Sequence, residues 1–228
     1  ATTVMAGFFP VFFDAYWSSG VDSNTTTYYL GLANSIASLI VALLAPYLGS
    51  IADRMSGKKR FLVFFAYVGI LNTLALGFVS EGNWQFAIFF YIMGTIGFSG
   101  ANIFYDSLLS CVEKKKKVDY VSSLGFAMGY IGGGLLFLLN VIWYLTPTTF
   151  GFSDEIVAIK ASFLSVAIWW AIFCIPIILF VKEVEIENSV SFSEAIKAGY
   201  KQLRITFSDI KRLRYIGFFL LGYWFYID

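Results

Sequence analysis

Histidine is absent from this 228-residue chain. That removes the commonest metal ligand and the one side chain whose ordinary pKa makes it a switch near neutral pH. Cysteine is nearly absent. Cys111 and Cys174 are isolated thiols on apolar segments, with no CxxC pairing and no metal-ligand spacing, so they read as packing residues. No metal and no cofactor are expected. Charge is scarce as well. Asp, Glu, Lys and Arg make up 14% of the chain, against about a quarter in an average soluble domain. The net charge of +1 leaves no basic footprint for nucleic acid. There is no Walker loop, no HExxH, no Asp-rich metal motif and no nucleophile elbow. These absences disfavour an enzyme and an ATP-driven pump.

Apolar surface is what the chain has in excess. Hydrophobic residues reach 58%, aromatic residues 20%, and mean hydropathy is +0.74. That is more apolar side chain than a single soluble core can hide, so the bilayer is the remaining solvent. A spanning helix needs about 20 apolar residues. Five complete runs stand at 27–50, 61–80, 84–111, 120–145 and 158–181. Partial runs stand at 1–13 and 215–228, so the chain reads as a piece of a longer protein with its first span cut short.

The connections sort by charge. Fifteen of the 16 Lys and Arg residues fall in segments 51–60, 112–119 and 182–214. The alternate connections 14–26, 81–83 and 146–157 carry none, and only Lys160, at the start of the sixth span, lies on their side. Positive residues near span ends stay cytoplasmic. The three basic segments are therefore expected inside, and strict alternation supports the span count. The expected organisation is an all-α six-helix transmembrane bundle over 1–181, a cytoplasmic linker over 182–214, and the start of a seventh span over 215–228.

Within the linker, Ser191 and Glu194 fit the S-x-x-E capping box that opens a helix. Phe192, Ala195, Ile196, Gly199, Tyr200 and Leu203 follow at helical spacing, with Lys197, Lys201 and Arg204 between them. Three readings of 192–203 stand: an amphipathic helix at the membrane interface, a helix packed under the bundle, and a calmodulin-type partner site.

Two motifs sharpen the reading. The first is Gly49-Ser-Ile-Ala-Asp53-Arg54-Met-Ser-Gly57-Lys58-Lys59-Arg60. Gly49 permits close helix approach, and Asp53 near a helix end can pair with a cation or cap a neighbouring helix. Such contacts can latch one conformation. The second is the glycine series Gly125, Gly129, Gly132, Gly133 and Gly134. Glycine in a helix is destabilising unless a backbone comes close, and small-xxx-small spacing serves that purpose in membranes.

The first motif resembles the G-x-x-x-D-R-x-G-R-R signature of the major facilitator superfamily, with one extra residue before Gly57. The second resembles its fifth-helix motif, with Tyr130 where proline is usual. Asn102 to Asp106 and Ser122 to Asn140 narrow the likeness to the Atg22-like branch. That resemblance implies two six-helix halves, each of inverted three-helix repeats, and a secondary transporter working by alternating access. Its eukaryotic namesake is linked to amino-acid efflux from the vacuole. The implied location is a bacterial inner membrane, or a vacuolar membrane in a eukaryote.

Charges and polar groups inside the bilayer are the candidate transport residues. Asp228 lies roughly 20 Å into the seventh span and Asp106 roughly 9 Å into the fourth, and either could take a proton or a substrate cation. Asp106 could equally pair with Lys114 to Lys117. Asn34 and Ser38 share a face of the second span, as do Asn102 and Asp106 on the fourth, with Tyr105 alongside. In the facilitator scaffold these helices help line the central cavity. The expected partners are the lipid bilayer and a small polar solute, with oligomeric state open. The alternative function is a non-transporting membrane scaffold that recruits lipid or a partner through 182–214.

Overall fold

The computed structural model describes residues 2–112, 118–183, 190–212, 217–219 and 222, apart from the side chains of 110–112, 118 and 206–212. Asp228 and the cluster Lys114 to Lys117 lie outside the described residues. The elements are α1 (Thr2–Phe12), α2 (Ser23–Arg54), α3 (Lys58–Leu76), α4 (Trp84–Val112), α5 (Val118–Leu145), α6 (Glu155–Phe180) and α7 (Phe192–Arg212). A π turn, Phe13–Trp17, follows α1, and a 3₁₀ turn, Pro147–Phe150, follows α5. Among the described residues there is no strand. Helices α2 to α6 are long and apolar enough to cross a membrane. The chain is a multi-pass integral membrane protein with an all-α bundle.

Most helix ends lie within a few residues of the apolar runs, because each helix continues into the polar turns that cap it. Asp22 opens α2 by accepting from the amides of Asn24 and Thr25. Asp154 opens α6 by accepting from the Val157 amide at 2.9 Å, and that bond holds its carboxyl below the usual range. The third span is the exception. Its helix stops at Leu76, where Gly77, Phe78 and Val79 close tightening turns onto Leu74, Ala75 and Leu76.

Three apolar clusters hold the bundle. At the end away from the basic segments, Phe9, Phe12, Phe13 and Trp17 bury against Phe163 and Val166 of α6 and Leu136 of α5. Trp17 stacks on Phe163 and donates its indole N–H to the Val79 carbonyl. Lys160, the lone cation at this end among the described residues, donates to the Tyr16 hydroxyl at 2.8 Å and sits over its ring. In mid-bundle, Ala66 and Ile70 of α3 pack on Ala101 of α4 and on Ala167 and Cys174 of α6. At the basic end, Ile51, Ala52, Leu62, Phe104 and Leu108 close over Ala195 of α7. The linker helix therefore belongs to the folded body.

Candidate solute cavity and signature turn

Helices α1, α2 and α4 surround a cavity of about 680 Å³, closed behind by Thr73 of α3 and Trp170 of α6. Buried alanines bring α2 to α4. Ala33 and Ala37 are nearly fully covered, as small residues must be where membrane helices approach closely. The next position, Asn34, lines the cavity. Tyr91 of α4 donates its hydroxyl to the Asn34 Oδ1 across a long 3.4 Å. One turn on, Thr95 returns its hydroxyl to the Tyr91 carbonyl at 2.9 Å, and Ser99 continues the polar line along the wall. On α1, Pro10 has no N–H to give the Ala6 carbonyl, and both residues line the cavity. Among the described lining residues none is charged. The wall thus offers amide, hydroxyl and carbonyl groups beside the rings of Phe9, Phe90 and Trp170.

Of the sequence candidates among the described residues, only Asn34 reaches this cavity. Ser38, one turn further, is exposed and is not on its wall. Asn102, Tyr105 and Asp106 do share a face of α4, and all three are exposed, while Ala101, Phe104 and Leu108 take the core positions between them. Tyr91, Thr95 and Ser99 line the cavity and are not among the sequence candidates. Their four-residue spacing was the available signal. No group of three or more His, Cys, Asp or Glu stands together among the described residues.

The basic-end signature forms a tight turn between α2 and α3. Gly57 takes φ +94° just before α3, a conformation open to few residues besides glycine. The turn exposes the first amides of α3, and Glu183 satisfies them. Its Oε1 accepts from Gly57 and Lys58, each at 2.6 Å, and Oε2 lies 3.5 Å from the Lys59 amide. Lys59 Nζ reaches back to the Val181 carbonyl at 2.9 Å. A carboxylate at a helix N-terminus also meets the positive end of the helix dipole. The Val190 amide donates to the Arg54 carbonyl at 3.3 Å, so the linker holds both sides of the turn. The side chains of Asp53 and Arg54 are exposed. They share a small cavity of about 240 Å³ with Gly49, Gly199 and Leu203.

The family model described as "Vacuole effluxer Atg22 like" matches residues 15–116 and 110–228. The chain belongs to the Atg22-like family. The uncharacterised facilitator-type transporter YxiO of Bacillus subtilis is 36% identical over 99% of this chain and 53% of its own length. Autophagy-related protein 22 of Pichia angusta is 25% identical over 77% of this chain and 35% of its own. An uncharacterised protein of Aquifex aeolicus is 26% identical over 84% of the chain and 44% of its own. The chain spans about half the length of the curated relatives it matches, or less. No solved structure matches it.

In this Atg22-like chain, the closest helix crossings fall away from the expected glycines. A Cβ on Gly129 or Gly134 would meet nothing within 4 Å: residues 123–131 of α5 are exposed on every side, and Gly134 is exposed as well. Gly125 approaches only the Tyr105 hydroxyl, Gly132 Trp169, and Gly133 the Thr3 hydroxyl, at 3.3, 3.8 and 3.4 Å from a built Cβ. Gly49 likewise has open space. Other contacts are tighter. A Cβ on Gly97 of α4 would press on the Gly69 backbone of α3 and stand 2.8 Å from the Phe65 carbonyl. Gly69 lies under the Trp170 ring, and a Cβ on Gly199 of α7 would lie 3.0 Å from the Ser50 Cβ. Ser50 also donates its hydroxyl to the Ala195 carbonyl at 2.8 Å.

Proposed function

We infer that this chain supplies one half of a secondary active transporter that moves a small polar solute, such as an amino acid, by alternating access. The carrying observation is the uncharged cavity between α1, α2 and α4, with Asn34 and Tyr91 side by side on its wall. Its volume falls within the range typical of small-molecule sites, roughly 300–1,000 Å³. Its polar groups offer both donors and acceptors without a fixed charge. The relatives support the reading: one is named as a facilitator-type transporter, and the family is described as vacuole effluxers.

Other parts take roles around that cavity. Asp106 and Asp228 are the proton-coupling candidates, since carboxylates in a spanning helix are costly without a function. Asp106 stands on the open face of α4 with Asn102 and Tyr105. The exposed flanks of α2, α4 and α5 are surfaces for the second half of the transporter, and Gly129 and Gly134 would then meet partners there. Gly49, Asp53, Arg54 and Gly57 form the conformational latch at the basic, cytoplasmic end.

The test is a proteoliposome uptake and counterflow screen on the full-length protein, across a broad solute panel and several pH gradients. Saturable flux that Asn34→Ala weakens is the expected result. No flux above empty liposomes for any solute would overturn the reading.

A further inference from the structure

Helix α7 has two faces of different chemistry. The face toward the bundle is small: Ala195 is fully buried, and Gly199 lets the helix axis close on Ser50 of α2. The outward face carries Lys197, Lys201 and Arg204, all exposed, around Tyr200, which is 63% exposed. At 3.6 residues per turn these four positions fall within an arc of roughly 100°. Phe192, at the start of the helix, is 51% exposed as well. The acidic group of the first turn is turned back on itself, since Glu194 accepts from the Ser191 amide and hydroxyl at 2.9 and 2.7 Å.

The position of this face in the membrane follows from α2. Its 32 residues make a rod of roughly 48 Å, well beyond the ~30 Å hydrocarbon core. Ser50 lies one turn from the end of that rod, so α7 packs at headgroup depth. The Glu183 bonds and the Val190–Arg54 bond fix the linker there. At that depth a tyrosine ring sits between apolar and wet surroundings, and lysine and arginine extend their stems along apolar surface with their charges outward. The leaflet that meets this end carries negative surface potential.

We propose that the outward face of α7 binds the headgroups of anionic phospholipids, with Lys197, Lys201 and Arg204 on the phosphates and Tyr200 at the acyl boundary. The charge complementarity and the exposed ring at headgroup depth together select lipid over an acidic soluble protein. This surface stands independently of the solute cavity.

Two measurements on the full-length protein test it. In detergent, phosphatidylglycerol should raise the thermal midpoint by several degrees more than phosphatidylcholine. That increment should vanish in roughly 1 M salt, where the screening length is ~3 Å, and in the triple variant K197Q/K201Q/R204Q. A triple variant that keeps the increment, or equal stabilisation by the two lipids, overturns the proposal. The second measurement places a spin label at Tyr200→Cys, with Cys111 and Cys174 replaced, in phosphatidylcholine vesicles containing phosphatidylglycerol. The label should collide with oxygen more than with a water-soluble nickel chelate. Shielding from both would mean that protein covers the face, and exposure to nickel alone would mean that it faces water. Either result overturns the proposal. If the cysteine-free background fails to fold, the thermal comparison decides alone.

Discussion

Glu183 caps Gly57 across 126 residues of sequence, with its Oε1 2.6 Å from the Gly57 amide nitrogen and equally close to that of Lys58. Removing the carboxylate strands the first amides of α3 and frees the linker at its root. Hydrogen bonds to a charged group contribute about 1.5–3 kcal/mol each, but half-exposure and water replacement reduce that here. Glu183→Ala is expected to lower stability by about 2 kcal/mol and Glu183→Gln by less, read as thermal midpoint shifts in detergent. Trypsin should cut the linker faster in the alanine variant. Unchanged stability and cleavage would remove the clasp from any account of this turn.

Gly57 itself is held by backbone conformation and not by crowding. A Cβ there would come no nearer than 4.0 Å to the Arg60 side chain, yet φ is +94°. The left-handed region is unfavourable for residues with a Cβ by roughly 1–2 kcal/mol, and asparagine tolerates it best. Gly57→Asn should therefore be milder than Gly57→Val, which combines β-branching with positive φ. Equal midpoints for the two variants would show that the turn relaxes to another conformation.

The α3–α4 crossing gives a sharper contrast. Gly97→Ala forces a methyl against the Gly69 backbone and the Phe65 carbonyl, and overpacking of this kind typically costs about 1–3 kcal/mol. Gly129→Ala meets open space in this chain. The expected result is a large midpoint loss for Gly97→Ala and little for Gly129→Ala in residues 1–228. A loss at Gly129 confined to the full-length protein would locate its partner in the other half.

The apolar runs made the spans legible because hydrophobic length is a local property of the sequence. The Ser191–Glu194 box was legible for the same reason, and the helix it opens starts at Phe192. Its end was not. The expected stop near 203 became Arg212, where Phe207 and Ile210 continue the apolar spacing beyond Leu203. Crossings such as Gly97 on Gly69 depend on which faces meet, and a run of glycines on α5 was the louder but less informative signal. Glu183 carried no local mark of its role. Asn34 was visible as a polar residue in an apolar run, but what separates it from Ser38 is that the cavity wall on α2 runs from Thr27 to Asn34 and stops there. For α7, the packed-helix reading describes the inner face, where Ala195 is buried, and the interface reading belongs to the lipid-binding proposal.

The α7 box also sets a pH dependence. The Ser191 hydroxyl and amide hold the Glu194 carboxyl below its ordinary value of 4.5. A group whose pKa is lower when folded adds stability above its unfolded pKa and loses it as pH falls through the folded one. The first turn of α7 should therefore be well protected at neutral pH and begin to fray below about pH 4.5. Hydrogen exchange across 192–196 at pH values above and below that point measures it. Glu194→Gln should flatten the pH response, and a glutamine variant that frays identically on acidification would assign the effect elsewhere.

Asn34 and Tyr91 provide the test closest to function. Their hydroxyl-to-amide bond spans 3.4 Å at the open edge of the cavity, so it holds little of the fold together. A solute inserted between them would replace that weak bond with better ones. Losing one such hydrogen bond weakens binding by about 1 kcal/mol, or roughly fivefold in affinity. Asn34→Ala should therefore raise the half-saturating solute concentration about fivefold while leaving the thermal midpoint near that of the parent. Tyr91→Phe should act in the same direction with a smaller shift, because the ring still closes the wall. Ser38→Ala, one turn away and off the wall, is the matched control. If Ser38→Ala weakened transport as much as Asn34→Ala, the solute would have to lie along the outer face of α2, and the cavity between α1, α2 and α4 would lose its role.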